Sequence, residues 1–373
     1  MGEDAEGFVS PALDRGLCIN CLRCQAHCPI VQDVQHGGAI ATYGLIHIDS
    51  NIVADSASGG AFTAIAQIVL SQGGVVYGCA FNEQLVPVVV SAESTDDLHA
   101  LRGSKYVQCR TDRQYEKMRD SLEQGRGVLY CATPCQIAGL KAYLRKPYQN
   151  LVLIDLFCKG VPSPGLFKKY LDWLATTHGG TIEKYRFRDK QHGWRSLGSF
   201  CVNGQEHTLN GTDPFYYAFL MNRTYRRVCY RCKFASHKRP GDLSIGDFWG
   251  VELCHPDVST TQGVSAVLVS TAKGVECINA MGNNARIFPT TFANIARGNV
   301  NLLHPSGRCS KRDAIYARIA TWPFERLVYW YFYHEPVIIT RVKACMPRPL
   351  KRLLRMILQS RLPFGFSRGG QRP

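Results

Sequence analysis

The order of apolar and glycine-rich segments predicts an α/β fold, preceded by a small module held together by cysteine, for this chain of 373 residues. Three observations lead there. Short apolar strand candidates alternate with helical stretches from about residue 49 onward, and glycine or proline turns separate them. The first thirty residues, by contrast, are dense in cysteine and weakly periodic. A composition of 45% hydrophobic and 20% charged residues is globular and excludes disorder, collagen and coiled coil as the main theme.

The elements follow in order. Ser58-Gly59-Gly60 leads into a helix over Ala61–Ser71, with Phe62, Ile65, Ile68 and Val69 at helical spacing and Gly73-Gly74 as the stop. Val75–Phe81 is an apolar strand. A second unit repeats the pattern: Gly127–Tyr130 as strand, Thr133-Pro134-Cys135 as turn, and Gln136–Leu144 as helix. Leu151–Phe157 is a near-continuous apolar run of the buried-strand kind. Its exit loop meets Ser163-Pro164, an N-cap with proline at the first helical position, and the helix beyond carries Leu166, Phe167, Tyr170, Leu171 and Leu174 on one face. Beyond Glu183 the pattern is mixed, with strand-like stretches at Lys184–Arg188 and Ser265–Ser270. Cys135 and Cys158 fall just past the carboxyl ends of two strands, where open α/β sheets bind ligands. Neither GxGxxG nor GxxxxGK[ST] occurs, and HExxH and GxSxG are absent, so the familiar phosphate-loop, zinc-protease and hydrolase readings have no footing.

Lysine and arginine number 44 against 29 acids, a net charge of +15. The segment 339–373 alone holds two lysines, seven arginines and no acid, so most of the excess belongs to a tail. A nucleic-acid-binding domain would more often spread such charge over a face and interleave aromatic rings, which argues against that reading. Pro349–Leu362 sets Leu350, Leu353, Leu354 and Ile357 against Lys351, Arg352, Arg355 and Arg361, a basic amphipathic helix suited to an anionic membrane surface or to a packed terminal helix. With no apolar run near the roughly 18 residues of a spanning helix, the expected setting is cytoplasmic, peripheral at the inner membrane face.

Sixteen cysteines in such a chain point to metal or redox chemistry. Cys18, Cys21, Cys24 and Cys28, the last followed by Pro29, have the x2, x2, x3 spacing of a bacterial ferredoxin run, which predicts a 4Fe–4S cluster rather than zinc, whose ribbons use two CxxC pairs. Cys135, Cys158 and the pair Cys229 and Cys232 form a dispersed set that spacing leaves open between a four-thiolate site and ordinary buried thiols. Ser58-Gly59-Gly60 reads either as a phosphate-receiving loop or a plain cap, and Arg102–Tyr106 either as a dinucleotide contact or a solvated basic turn.

Taken jointly, Ser56–Gly60, Leu101–Gln108, Thr133–Leu140, Gly160–Pro164, Phe187–Lys190 with Gly193-Trp194, Cys229–Phe234 and Gly241–Gly250 resemble the family of coenzyme F420 hydrogenase/dehydrogenase beta subunits, in family order over roughly residues 1 to 300. The resemblance implies a mixed-sheet α/β domain binding FAD and a 4Fe–4S cluster over 49–330, a ferredoxin-like module over 1–48 and the tail over 331–373. It implies Ser58, Gly59, Gly60, Ser104, Lys105, Thr133 and Pro134 at the flavin, and Cys135, Cys158, Cys229 and Cys232 as ligands of a second cluster. Electrons would pass between a ferredoxin-type donor and an organic acceptor, either the deazaflavin or a sugar of a polysaccharide pathway; the alternative is an adaptor serving a separate catalytic partner. A zinc-bound structural protein is a third reading. No catalytic acid or base is singled out. Lys159 stands where many relatives have histidine, and Ala132 where many have glycine. Relatives often carry two ferredoxin runs, joined by a segment like Met1–Pro11, so a further run ahead of Met1 is expected.

Overall fold

The computed structural model describes residues 1–31 and 37–333; the tail helix read at Pro349–Leu362 lies outside them. Its strands are β1 (Gly2–Glu3), β2 (Val9–Ser10), β3 (Ala41–His47), β4 (Val75–Phe81), β5 (Pro87–Ala92), β6 (Val128–Ala132), β7 (Leu151–Leu156), β8 (Ile182–Arg186), β9 (Ser199–Val202), β10 (Gln205–Thr208), β11 (Leu243–Asp247), β12 (Ser265–Val269) and β13 (Ala285–Pro289). Eight of these form one sheet in the order β13-β3-β12-β11-β7-β6-β4-β5. Its centre is parallel, β4 beside β6, β6 beside β7 and β7 beside β11. Antiparallel strands flank that centre, β12, β3 and β13 on one side and β5 on the other. This is a mixed α/β architecture. A small antiparallel sheet, β10-β9-β8, stands apart.

The parallel strands are mostly apolar because both faces are covered. Val76 and Leu129 pack into one core with the Ala61–Ser71 helix, while Val75, Val128 and Tyr130 pack into another with the Pro134–Leu144 helix. Four parallel strands run the same way, so the loops after β4, β6, β7 and β11 meet at one carboxyl edge. The predicted turn at Thr133–Cys135 is corrected here. Thr133 is an N-cap, Pro134 opens the helix, and Cys135 already lies in its first turn.

The central sheet also starts earlier than residue 49, since β3 pairs with β12 and β13. The first ten residues dock on the main body as well: β1 pairs with β2, Phe8 is fully buried against the aromatic core, and Glu6 binds the buried Arg312 guanidinium. What stands out from the body is the segment around the first cysteine run. Among the described residues no helix is long and apolar enough to cross a membrane.

Asp213 caps the Pro214–Leu220 helix, accepting from the Tyr216 N–H at 2.8 Å and from the Tyr170 hydroxyl at 2.6 Å. Burial pushes this carboxyl up to about 6 from the ordinary 3.8. The folded state therefore holds the proton more tightly than the unfolded chain, and stability falls as pH rises from about 4 to about 6, by roughly 3 kcal/mol from this group. Asp213→Asn cannot ionise, so urea unfolding across that window should show a flatter profile than the parent protein; parallel profiles would refute the assignment.

Candidate functional site

The carboxyl edge is where the dispersed cysteines come together. Cys158 lies two residues past β7, Cys135 in the first turn after β6, and Cys229 and Cys232 in and just after the tight turn Arg227–Arg231. Two ties bring that last segment in. The Arg226 N–H donates to the Val161 carbonyl at 2.9 Å, which fastens the turn to the β7 exit loop. Farther on, Arg239 forms a fully buried ion pair with Asp155 of β7 and donates to the Phe234 carbonyl at 2.9 Å. Burial, followed by the charges of Cys229, Cys135 and Cys232, pushes the Cys158 thiol well above the ordinary range. Cys229 is pushed up to about 12 by burial, with Cys135 and Cys232 adding to it.

All four thiols therefore act on one another. Among the described residues no three His, Cys, Asp or Glu side chains sit close enough to hold a single metal ion. Four thiols brought to one edge of the sheet have the donor chemistry of a multi-iron cluster, so the second set fits such a group. Thr133 leans on this set, with its hydroxyl 3.3 Å from the Cys135 sulfur and 2.9 Å from Gln136 Oε1.

The first run is placed differently. Cys21 and Cys24 are exposed, Cys18 and Cys28 half-buried, and the loop turns through left-handed backbone at Asn20 and Leu22. Leu17 and Ile19 beside it are 81% and 84% exposed. The Cys18 thiol donates to Asn20 Oδ1 at 3.6 Å.

Residues carried over to a flavin site have partners within the protein. Ser58 donates its hydroxyl to the Val264 carbonyl at 2.7 Å. Gly59 is pressed against the sheet, where a Cβ would stand 2.2 Å from the Leu45 carbonyl oxygen, and Gly60 caps the Ala61–Ser71 helix at φ +87°. Lys105 donates to the carbonyls of Ala100 and Arg102 at 3.0 and 2.7 Å, while Arg102 itself pairs with Asp55. Tyr106, beyond Ser104, stacks on Phe219 with ring centroids 4.6 Å apart.

Between the Ser58 and Ser104 loops lies a cluster to which the motif reading gave no role. Asp247, at the end of β11, accepts from Trp194 Nε1 at 2.9 Å and from Arg188 Nη1 at 3.4 Å. Burial raises the Asp247 carboxyl, with Arg188 opposing that rise. The Arg188 guanidinium lies over the Trp249 ring, which is itself stacked on Trp194 at 4.5 Å. Lys190 gathers three carbonyls, those of Val53, Ser58 and Gln262, at 2.5–2.6 Å and so fixes the Ser58 loop. Among the described residues, one donor of this cluster is left over: Arg188 Nε is buried with no hydrogen-bond partner. A buried guanidinium N–H in that condition calls for an acceptor that the described residues do not supply, which fits a bound polar group such as a flavin.

Comparison with known proteins bears on this edge. Residues 125–292 match the model that describes the carboxy terminus of the beta subunit of coenzyme F420 hydrogenase/dehydrogenase. One of the subunits of the F420H2 dehydrogenase of Methanosarcina mazei is 23% identical over 223 residues, 58% of this chain and 59% of that protein. The chain is thus similar, over this region, to the coenzyme F420 hydrogenase/dehydrogenase beta subunits. Its match thus spans about three fifths of the length of that relative. A chain of the F420-reducing [NiFe] hydrogenase complex from Methanosarcina barkeri shares the fold, with a TM-score of 0.50 at 16% identity, over 77% of this chain and 94% of that one. The family's C-terminal region takes in Cys135, Cys158, Cys229, Cys232, Arg188 and Asp247, whereas the first cysteine run and the Ser58 and Ser104 loops precede it.

Proposed function

We propose that this chain is an iron–sulfur flavoprotein of the beta-subunit kind that relays electrons between a ferredoxin-type donor and an organic acceptor. The observation that carries the reading is the gathering of Cys135, Cys158, Cys229 and Cys232 at the carboxyl edge, one loop away from the Arg188–Asp247 cluster. These four thiols would hold one 4Fe–4S cluster, and Cys18, Cys21, Cys24 and Cys28 a second at the surface, where a soluble donor reaches it. FAD, held between the Ser58–Gly60 and Ser104–Lys105 loops beside Thr133 and Pro134, would supply the conversion between one-electron and two-electron transfer. The chain's own part is to orient and to exclude water. Lys190 locks one loop, Lys105 tightens the other, and the Trp194–Trp249 stack walls the space between them. The acceptor is the deazaflavin F420, named in both relatives, or a sugar substrate of similar redox demand. The basic tail would bring the chain to an anionic membrane face.

Lys159 favours a second reading, the adaptor. Its ammonium lies over the Phe219 ring and donates to the Leu220 carbonyl at 3.3 Å, so it is already committed where relatives have histidine. Anaerobic protein mixed with reduced ferredoxin should lose its flavin absorbance and regain it when F420 is added. Reoxidation that needs a second protein selects the adaptor. Protein purified with neither flavin nor iron overturns both readings.

A further inference from the structure

Among the described residues three arginines are buried, Arg223, Arg239 and Arg312. Arg239 has the Asp155 carboxylate and Arg312 that of Glu6. Arg223 has none among the described residues. Its place follows from the local chain. Asn222 takes left-handed backbone at φ +56° and ends the Pro214–Leu220 helix, and the Arg223 N–H turns back to the Ala218 carbonyl at 2.9 Å. The side chain reaches the turn Val328–Phe332, where Nη1 donates to the Tyr331 carbonyl. That turn is held on the same helix by the Tyr217 and Tyr333 rings, 5.0 Å apart, and by the Tyr333 hydroxyl, which donates to the Thr212 carbonyl.

What remains of the guanidinium is one edge. Nε–H and Nη2–H lie parallel on the same side of the planar group, and both nitrogens are buried with no hydrogen-bond partner among the described residues. This is the edge that grips a carboxylate or a phosphate through two parallel bonds. Thr224, the next residue, is 1% exposed, and its hydroxyl is likewise buried without a partner among the described residues. Two needs are open here. The N–H groups need acceptors, and the charge needs a counter-charge, since a guanidinium does not shed its proton. Water would meet the first need only; an oxyanion meets both. Arg188, whose Nε is also left over, differs in having Asp247 as its counter-charge.

We propose that the Nε–Nη2 edge of Arg223 binds one small oxyanion, a carboxylate or a phosphate group, where the end of the Pro214–Leu220 helix meets the Val328–Phe332 turn. With the side chain at 0% exposure, the ligand is a few atoms in size. It carries a full negative charge, because the described residues bring no carboxylate to this guanidinium. Its function is to complete the contact between helix and turn, so the bound ion stabilises the folded chain. The inference needs neither cluster nor flavin.

The test uses the full chain, purified anaerobically in a buffer free of phosphate and carboxylates, then titrated by equilibrium dialysis with inorganic phosphate in one arm and acetate in the other. The expected result is one ion bound per chain in at least one arm, with the urea unfolding midpoint rising as that ion is added. The arm that saturates at the lower concentration distinguishes phosphate from carboxylate. Arg223→Met should lose the bound ion and the rise in midpoint together. Arg223→Lys keeps the charge without the fork and should bind roughly tenfold more weakly, the loss of one charge-assisted hydrogen bond. An ion count unchanged in Arg223→Met would mean an adventitious ion only, held by the arginines of 339–373, and would overturn the proposal. A parent that binds neither ion would overturn it as well. Glu335, the sole acid beyond Glu325, is the rival within the chain. Glu335→Gln should leave the count at one, whereas none in the parent and one in this variant would make that carboxylate the partner. Should Arg223→Met fail to fold, Arg223→Lys carries the comparison.

Discussion

Replacing Arg239 with methionine should lower the unfolding free energy by about 3–5 kcal/mol, because it leaves the Asp155 carboxylate buried without its cation. Both side chains are sealed, at 1% and 0% exposure. Arg239 Nε donates to Asp155 Oδ1 at 2.9 Å, Nη1 to the Phe234 carbonyl and Nη2 to the Leu156 carbonyl, each at 2.9 Å. With the guanidinium gone, the carboxylate keeps, among the described residues, the Gly241 N–H at 2.9 Å. Removing both charges should be milder. Arg239→Met with Asp155→Leu should recover a large part of the loss, since a buried pair replaced by apolar groups of similar volume is often near neutral. Equilibrium urea unfolding of the single and double variants measures both. A single variant within about 1 kcal/mol of the parent would mean that water reaches Asp155. The pair also ties the segment following Cys232 to β7, so the single variant should lose iron as well as stability.

How far the sequence reached depends on whether the deciding contacts were local. The Ala61–Ser71 helix and the Val75–Phe81 strand were legible to the residue, because glycine stops and apolar spacing act within one turn of the chain. Ser163-Pro164 was legible as a cap for the same reason. Thr133-Pro134 obeys the same rule and was read instead as a turn, the proline being taken as a break rather than as a helix start. Strand β3 was missed because its pairing is remote. Gly44 interrupts its pattern, and only the Phe288 ring of β13, folded over that glycine, explains it. The buried cations were illegible for a related reason. Lys190 and Arg312 look like surface residues in a linear text, yet their partners are carbonyls and a carboxylate brought from distant loops, Val53 and Gln262 for one, Glu6 for the other. In Gly246–Gly250 the aromatics Phe248 and Trp249 pack, while Asp247 before them carries the polar contacts. Family resemblance brought the second cysteine set into view; spacing alone left it open.

Iron content offers the other large effect. Anaerobically purified protein should hold about eight iron atoms with matching acid-labile sulfide, about four for each cluster. Cys229→Ser should bring that to about four, and Cys18→Ser should do the same through the other set. The two variants should then differ in kind. The cluster left in Cys18→Ser would sit among thiols of which three, Cys158, Cys229 and Cys232, are half-buried, beside the Thr133 cap and the turn tied to Val161. The one left in Cys229→Ser would be held by a run whose Cys21 and Cys24 are exposed. Solvent access governs how fast oxygen reaches a cluster, so on controlled exposure to air the visible absorbance of Cys229→Ser should bleach first. The parent protein should bleach in two phases whose rates match those of the two variants. A single phase in the parent, or four irons that survive Cys229→Ser and vanish in Cys18→Ser, would leave Cys135, Cys158, Cys229 and Cys232 as structural thiols and confine the iron to the ferredoxin run.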